Sequence, residues 1–154
     1  MATIAETAQG RLEGSDLGNQ FVFKGVPFAA PPVGPLRWHP PAPAPPWSGV
    51  RPAKNFGNPS MQVPMENILP ALTPLGTVSE DCLYLNVWTP GLDDGLRPVM
   101  VWIHGGAFLY GSGHETLPDR QEIVNRGDIV LVSLNYRLGP MGFLNLAELT
   151  GGRI

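Results

Sequence analysis

The chain has 154 residues, of which 43% are apolar and 15% are charged. This composition can build the core of one ordinary domain and excludes a disordered chain. The formal net charge is −3 and the basic residues are scattered, which argues against nucleic acid as a partner because phosphate binding needs clustered positive charge. The charged fraction lies below the roughly 25% that is usual for soluble domains, as expected if further polypeptide covers part of this surface.

The sequence carries no sign of targeting to a membrane or of disulfide bonding. Residues 1–10 have neither a basic region nor an apolar stretch, so we expect no signal peptide, and no apolar run is long enough to span a bilayer. Cys82 is the only cysteine and cannot form an intramolecular disulfide. These features predict a cytoplasmic protein, with secretion left open because an export signal is removable.

The N-terminal part of the chain predicts β-structure followed by a proline-rich segment. Short alternating runs separated by turn residues predict an antiparallel sheet over residues 4–24. In the segment 26–59, ten of the 18 prolines lie between Pro31 and Pro59. Proline fixes φ and removes a backbone donor, so we expect this segment to wrap in an extended conformation over the rest of the protein. A polyproline ligand for an SH3-like partner is the alternative that we favour less.

The middle of the chain predicts a loop and then alternating strands and a helix. Residues 61–77 show no period and contain three prolines, which indicates a loop. Alternation over residues 82–88 predicts a strand with one strongly apolar face and one mixed face. The apolar run 99–103 predicts a buried strand, residues 117–126 a short helix and residues 129–134 a further strand. This order implies a right-handed crossover with parallel pairing of the last two strands, as in an open α/β sheet.

The predicted helix carries signals at both ends. Pro118 suits the first helical position and Asp119 the positive N-terminal end. Arg126 suits the negative C-terminal end, and Gly127 is expected to close the helix in the left-handed conformation. Residues 150–154 are predicted to be loop because they combine glycines with no apolar period.

The predicted strand 99–103 breaks into the sequence His104-Gly105-Gly106-Ala107-Phe108. The two glycines allow the backbone to bend where a Cβ would clash with a neighbour or a ligand. Backbone N–H groups exposed at such a turn can point together at a developing negative oxygen, which is the requirement of an oxyanion hole. A simple turn is the alternative interpretation.

Five segments carry motifs of one known family in the same order. They are residues 23–29, 31–38, 79–90, 104–108 and 135–143. Together they resemble the type-B carboxylesterase family, which includes bacterial p-nitrobenzyl esterases and the cholinesterases.

The resemblance implies an α/β class protein with the N-terminal part only of an α/β-hydrolase fold. A small antiparallel N-terminal sheet would be joined to the first strands of a central, mostly parallel sheet. Residues 1–154 would be the N-terminal portion of a single domain, with residues 26–59 as its proline-rich wrapping segment. The remainder of that domain, on a continuation or a second chain, is the expected partner.

The resemblance also implies roles for the glycine-rich sequence. The N–H groups of Gly106 and Ala107 would bind the tetrahedral oxyanion, and Gly105 would support the backbone path. Phe108, Leu109 and Tyr110 follow these donors directly and are expected to line the acyl pocket, with packing in the core as the alternative.

A second set of apolar residues lies in the predicted loop 61–77. In the resembling family this region contributes to the rim of the substrate gorge, which makes Met65, Ile68, Leu69 and Leu72 candidates for contact with a small carboxylic ester. Packing on the core is again the alternative.

Several residues outside the loop are expected to have structural roles by the same resemblance. Arg37 and Glu80 resemble a buried ion pair that fixes the N-terminal wrap to the sheet. Arg137 is expected to pair with a carboxylate beyond residue 154. Eukaryotic members pair a cysteine at the position of Cys82 with an earlier one, where this chain has Met61, so the chain departs from the secreted pattern.

The nucleophile elbow of this superfamily, Gly-x-Ser-x-Gly, is absent from the chain. Ser112 lies between two glycines without the required spacing, and His39, His104 and His114 do not complete a triad with it. No spacing suggests metal ligands or a phosphate loop, so we expect no metal and no cofactor.

The resemblance therefore implies a serine esterase with an acyl-enzyme mechanism, whose serine, glutamate and histidine come from a continuation or second chain. This chain alone is predicted to be inactive. A non-catalytic cholinesterase-like binding module and an inactive truncated fragment are the alternatives.

Overall fold

In the computed structural model of the chain, residues 3–63, 76–114, 120–145 and 147–151 are described. The strands are β1 Thr3–Thr7, β2 Gly10–Asp16, β3 Phe21–Pro27, β4 Val50–Pro52, β5 Tyr84–Thr89, β6 Val99–Ile103 and β7 Val130–Leu134. The helices are α1 Arg120–Gly127, α2 Gly139–Phe143 and α3 Ala147–Thr150. The strands form one mixed sheet in the order β1-β2-β3-β5-β7-β6, and β4 pairs with β2.

The predicted N-terminal antiparallel strands are confirmed. Strand β1 pairs antiparallel with β2, and β2 pairs antiparallel with β3. The proline-rich segment is less uniform than predicted, because it contains a 3-10 helix at Gly34–Leu36 and the strand β4. Strand β4 pairs parallel with β2, so the segment is held to the sheet by backbone hydrogen bonds as well as by side chains.

Strand β3 carries a bulge that a side chain of β5 completes. The register of the β3–β5 pair shifts between Phe23 and Val26, and Gly25 adopts a φ of 65° in this interval. The N–H of Gly25 donates to Asn86 Oδ1 at 3.0 Å, which satisfies a backbone donor that the bulge removes from the ladder. A buried polar residue on β5 therefore has a structural reason to be there.

The predicted strand–helix–strand order is confirmed, but the first strand, β6, which was predicted to be buried, is exposed at all five residues because no described element covers it. Strands β6 and β7 pair in parallel with Val99 opposite Val130 and Ile103 opposite Leu134. Helix α1 connects them and contacts the sheet through Val124, which is fully buried. The predicted helix start at Pro118 and Asp119 lies outside the described residues.

The end of α1 differs from the prediction. Asp128, with a φ of 44°, takes the left-handed position that we expected of Gly127. The N–H of Ile129 donates to the carbonyl of Val124 at 3.3 Å, which closes the helix as a Schellman turn one residue later than predicted. Aspartate tolerates this conformation better than most residues, and its carboxylate accepts a hydrogen bond from Arg97 Nε at 2.7 Å.

The two faces of β5 are buried to different extents, and the mixed face is the more buried one. Trp88 packs with Val22, Leu131 and Val124 of α1, whereas the apolar face with Val87 borders an open hollow of about 740 Å³. Helix α1 covers only one side of the sheet, so the strongly apolar face of the strand is less buried than its pattern suggests.

The C-terminal elements are short. Thr150, predicted to begin the C-terminal loop, is instead the last residue of α3, and residues 152–154 of the predicted loop lie outside the described residues. Among the described residues, no helix is long and apolar enough to cross a membrane.

Candidate active site

The glycine loop, which we define as residues 104–113, leaves the end of β6 and folds into a tight turn. The N–H groups of Leu109 and Tyr110 both donate to the carbonyl of Gly106, at 2.9 and 3.2 Å. These bonds use the carbonyl of Gly106 to close the turn. No hydrogen bond within the described part of the chain uses the N–H of Gly106 or of Ala107, so both donors remain available to an acceptor outside the chain.

The loop has positive φ values at three consecutive residues, and the last two of them are not glycine. Gly106 has a φ of 118°, and a Cβ built on it would lie 1.9 Å from the carbonyl oxygen of Tyr110, so only glycine fits. Ala107 and Phe108 follow with φ values of 52° and 62°. Such conformations cost of order 1–3 kcal/mol each and are typical of functional sites, where the surrounding structure maintains them.

The loop borders an open hollow of about 500 Å³ at the carboxyl ends of β6 and β7. In open α/β sheets, this end of the parallel strands is where ligands bind. Ala107 lines the hollow, whereas Gly106 does not contribute to its wall. The lining residues are Ile103, His104, Gly105, Ala107, Phe108, Leu134, Tyr136 and Phe143.

Aromatic side chains support the floor of the hollow. The ring of His104 stacks on Tyr136 with 4.3 Å between centroids, and the Tyr136 hydroxyl donates to the carbonyl of His104 at 2.8 Å. Phe143 packs against both Phe108 and Tyr136, at centroid distances of 4.6 and 6.4 Å. The backbone where β6 becomes the glycine loop is thus fixed by a residue that follows β7.

The far end of the loop is anchored by buried polar groups. The N–H of Gly113 donates to Asn135 Oδ1 at 2.7 Å, and its carbonyl accepts from Ser133 Oγ at 2.7 Å. The Asn86 amide donates to Ser133 Oγ at 3.1 Å. Both polar groups of Gly113 are therefore held by side chains, which suits a segment that must keep one conformation in a buried position.

Gln62 holds the loop at Gly111. Its Oε1 accepts from the N–H of Gly111 at 2.9 Å, and its Nε2 donates to the carbonyls of Gly111 and Ser60, at 3.0 and 3.1 Å. Sequence reasoning missed Gln62 and Asn135 as loop anchors. The available signal was a polar residue among apolar neighbours at each of these positions. It could not identify the partner, because Gly111 and Gly113 are distant in sequence.

The predicted substrate-binding residues occupy different surroundings. Phe108, which is 59% exposed, lines the hollow beside Ala107. Leu109 instead lines a separate apolar pocket of about 400 Å³ together with Met61. Leu109, like Phe108, is 59% exposed in the described chain. Met65, Ile68, Leu69 and Leu72 lie outside the described residues.

The predicted ion pair is present but is not buried. Arg37 donates to both carboxylate oxygens of Glu80, at 2.6 and 2.7 Å, while the two side chains are 40% and 24% exposed. The Glu80 carboxylate raises the pKa of Arg37 by hydrogen bonding and charge. Arg137 Nη2 donates to the carbonyl of His39 at 3.0 Å, and its Nη1 is buried without a hydrogen-bond partner in the described chain.

The remaining nucleophile and base candidates lie in different surroundings. Ser112 is buried and accepts from the N–H of His114 at 3.3 Å, and the ring of His114 stacks on Phe56. His39 is exposed. Burial raises the pKa of Cys82 to about 11, so the thiol is protonated and unreactive at neutral pH. Within the described ranges, no group of three or more His, Cys, Asp or Glu side chains is arranged to hold a metal ion.

Comparison with known proteins gives consistent results. The sequence profile described as "Carboxylesterase family" matches residues 1–151. Phenmedipham hydrolase of Pseudarthrobacter oxydans is 50% identical over 147 residues, which cover 92% of this chain and 29% of that protein. Para-nitrobenzyl esterase of Bacillus subtilis is 42% identical over 145 residues, which cover 94% of this chain and 29% of that protein.

Solved structures agree with the sequence comparison. A Geobacillus stearothermophilus carboxylesterase superposes with a TM-score of 0.84 at 44% identity, covering 98% of this chain and 30% of that one. A PNB esterase gives 0.88 at 39% identity, covering 99% and 31%. The predicted α/β-hydrolase fold, N-terminal part, is confirmed. The chain spans 29% of the length of both relatives.

Proposed function

Because the chain belongs to the carboxylesterase family, we propose that it is part of a serine esterase that hydrolyses small carboxylic esters through an acyl-enzyme. In this proposal the N–H groups of Gly106 and Ala107 stabilise the tetrahedral oxyanion. The serine, glutamate and histidine of the triad belong to the polypeptide that completes the domain. The residues 1–154 then supply one half of the catalytic site and part of its sheet.

The observation that carries the proposal is the pair of N–H groups in the glycine loop that are left unbonded by the described residues. Two consecutive N–H groups take no part in hydrogen bonds within the described chain, and they lie in a strained turn beside an open hollow. Preorganised donors of this kind stabilise negative charge because they need no reorganisation when the charge forms. A turn that served only to reverse the chain would gain nothing from such strain.

The proposed remainder of the domain would cover two surfaces. Among the described residues, strand β6 pairs only with β7, and all of its residues are exposed, from 37% at Met100 to 66% at Ile103. A run of five apolar residues with an open hydrogen-bonding edge favours burial between two strands. The open hollow beside Leu85 and Val87, on the face opposite α1, favours packing of further helices there.

Substrate contacts would come partly from this chain. Phe108 lines the hollow and would contact the acyl group, whereas Leu109 would contact substrate from the separate apolar pocket beside Met61. For Met65 and Leu69 the proposal rests on the resemblance alone. We propose a structural role for Arg37 and Glu80, because their bidentate pair joins the proline-rich segment to the segment that precedes β5.

Labelling of the complete protein with a serine-directed organophosphate tests the proposal. We expect one label per complete domain, parallel loss of p-nitrophenyl acetate hydrolysis, and no label on residues 1–154. A protein that binds ligands without being labelled would instead be a non-catalytic binding module. Hydrolysis and labelling by residues 1–154 alone would contradict the requirement for further polypeptide.

A further inference from the structure

We infer that Gln62 is a positioning residue for the oxyanion-binding amides, an inference that rests on the proposed function. Gln62 touches neither Gly106 nor Ala107. It acts on them through the peptide group that joins Tyr110 to Gly111.

The first step is the double contact between Gln62 and Gly111. The amide of Gln62 accepts from the N–H of Gly111 at 2.9 Å and donates to its carbonyl at 3.0 Å. One planar side-chain amide thus satisfies both polar groups of a buried residue, much as a neighbouring strand would. A second bond from Nε2 to the carbonyl of Ser60, at 3.1 Å, fixes the orientation of the amide itself.

The second step is the rigidity of the peptide unit. The N–H that Gln62 holds and the carbonyl of Tyr110 belong to the same planar group. That carbonyl faces Gly106 so closely that a Cβ on Gly106 would lie 1.9 Å from its oxygen. The position of the Tyr110–Gly111 peptide therefore determines how Gly106 can lie, and Gln62 determines the position of the peptide.

The third step is the need to hold both ends of the turn. Gly106, Ala107 and Phe108 occupy the left-handed region in succession, so the turn relaxes unless both of its ends are held. The Tyr136 hydroxyl holds the entry at His104, and Gln62 holds the exit at Gly111. Loss of the exit contact would let the amide donors move, and displacement by about 1 Å is enough to reduce a rate by roughly a hundredfold.

The test uses three variants of the complete protein. Gln62→Met keeps the length of the side chain and removes every hydrogen bond. Gln62→Glu keeps the acceptor for Gly111 N–H but, when ionised, places a negative charge against the carbonyls of Gly111 and Ser60. Gln9→Met is the matched control, because Gln9 lies in the turn between β1 and β2 and its side chain makes no hydrogen bond within the described part of the chain.

We expect Gln62→Met to lower kcat per titrated active site by roughly ten- to a hundredfold with KM changed by less than about twofold. Gln62→Glu should show a similar loss near neutral pH. Its kcat relative to that of the parent should rise as the pH falls toward about 5, because a protonated carboxyl both accepts and donates as the amide does. A purely structural role would reduce the number of active sites and leave kcat per site and its pH profile unchanged.

Hydrogen exchange separates this inference from the proposed function. In the Gln62→Met protein we expect faster amide exchange across residues 104–111 and parental exchange in β1 and β2. Unchanged exchange and unchanged kcat per site would overturn the inference while leaving the esterase proposal standing. If the Gln62→Met variant exchanges faster but the parent protein hydrolyses no ester, the esterase proposal is wrong. The contact of Gln62 with Gly111 then has no catalytic role, and the inference is wrong as well.

Discussion

At the scale of single residues, Gly106 combines three constraints that no other residue type meets. Its φ is in the left-handed region, its Cα faces the Tyr110 carbonyl, and its own carbonyl accepts two hydrogen bonds that close the turn. The N–H of Gly106 is therefore fixed in position and donates no hydrogen bond within the described part of the chain. In the proposed function Ala107 contributes only its backbone N–H, so a side chain as small as a methyl group at the next position is compatible with that role.

Replacement of Gly106 by alanine should reduce ester hydrolysis by the complete protein roughly a hundredfold, because the new Cβ displaces the Tyr110 carbonyl and the amide donors with it. Gly18→Ala is the control. Gly18 also has a positive φ, of 86°, but a Cβ there meets nothing within 4 Å, so we expect a small loss of stability and parental kcat. Equal activity of both variants would show that the loop does not bind the oxyanion.

At the scale of secondary structure elements, β6 and β7 differ although both are five-residue apolar strands. Strand β7 has neighbours on both sides and alternates between buried and half-buried residues, whereas β6 has β7 as its one neighbour in the described part of the chain and is exposed throughout. An exposed apolar edge is an aggregation hazard in a free chain. The same edge is an ordinary interior strand once another strand pairs with it.

Val101→Lys should therefore have opposite effects in two contexts. In residues 1–154 alone, a lysine on the open edge should increase the soluble yield. In the complete protein, the same charge would be buried and should lower the free energy of unfolding by roughly 3 to 5 kcal/mol. Val50→Lys, at a position 39% exposed on β4, should change the unfolding free energy of either form by about 0.5 kcal/mol at most. A neutral effect in the complete protein would mean that β6 stays exposed there.

At the scale of the whole molecule, the segment 82–86, in which β5 begins, joins the proline-rich segment, the sheet and the glycine loop. Cys82 and Leu83 pack with Ala29 of the wrap, and Asn86 reaches the buried network that holds Gly113. Two ionisable groups lie in this segment. Burial raises the pKa of Cys82 from 9.0 to about 11, and burial with a hydrogen bond to Asp81 raises that of Tyr84 from 10.0 to about 12.

These shifts predict a loss of stability at alkaline pH. A group whose pKa is higher in the folded state binds its proton more tightly there, so its contribution is complete below the unfolded pKa and is lost as the pH rises through the folded pKa. The free energy of unfolding should fall between pH 9 and about 12, by roughly 3 kcal/mol for Cys82. In denaturant titrations at a series of pH values, Cys82→Ala and Tyr84→Phe should each reduce the slope with which the free energy of unfolding decreases over this pH range. An unchanged slope in the double variant would contradict the assignment.

Sequence by itself determined the elements and the family. The alternation of the N-terminal runs, the apolar runs 99–103 and 129–134 and the glycines after the first of these runs are local patterns, and local patterns report backbone geometry directly. They were enough to predict the N-terminal antiparallel strands, the strand–helix–strand unit with its parallel pair, and the loop that carries Gly106 and Ala107, but not β4, α2 or α3. The ion pair of Arg37 and Glu80 followed from the resemblance alone.

Only the tertiary structure decided which groups hold the loop and which faces are buried. The contacts of Gln62 with Gly111 and of Asn135 with Gly113 join residues 49 and 22 positions apart. No periodicity records such a contact, because a side-chain hydrogen bond depends on where the folded chain brings its partner. The burial of Trp88 rather than Val87, and the partial exposure of Arg37, have the same cause: burial depends on what packs against a residue, and a sequence pattern describes only the residue's own side of that contact.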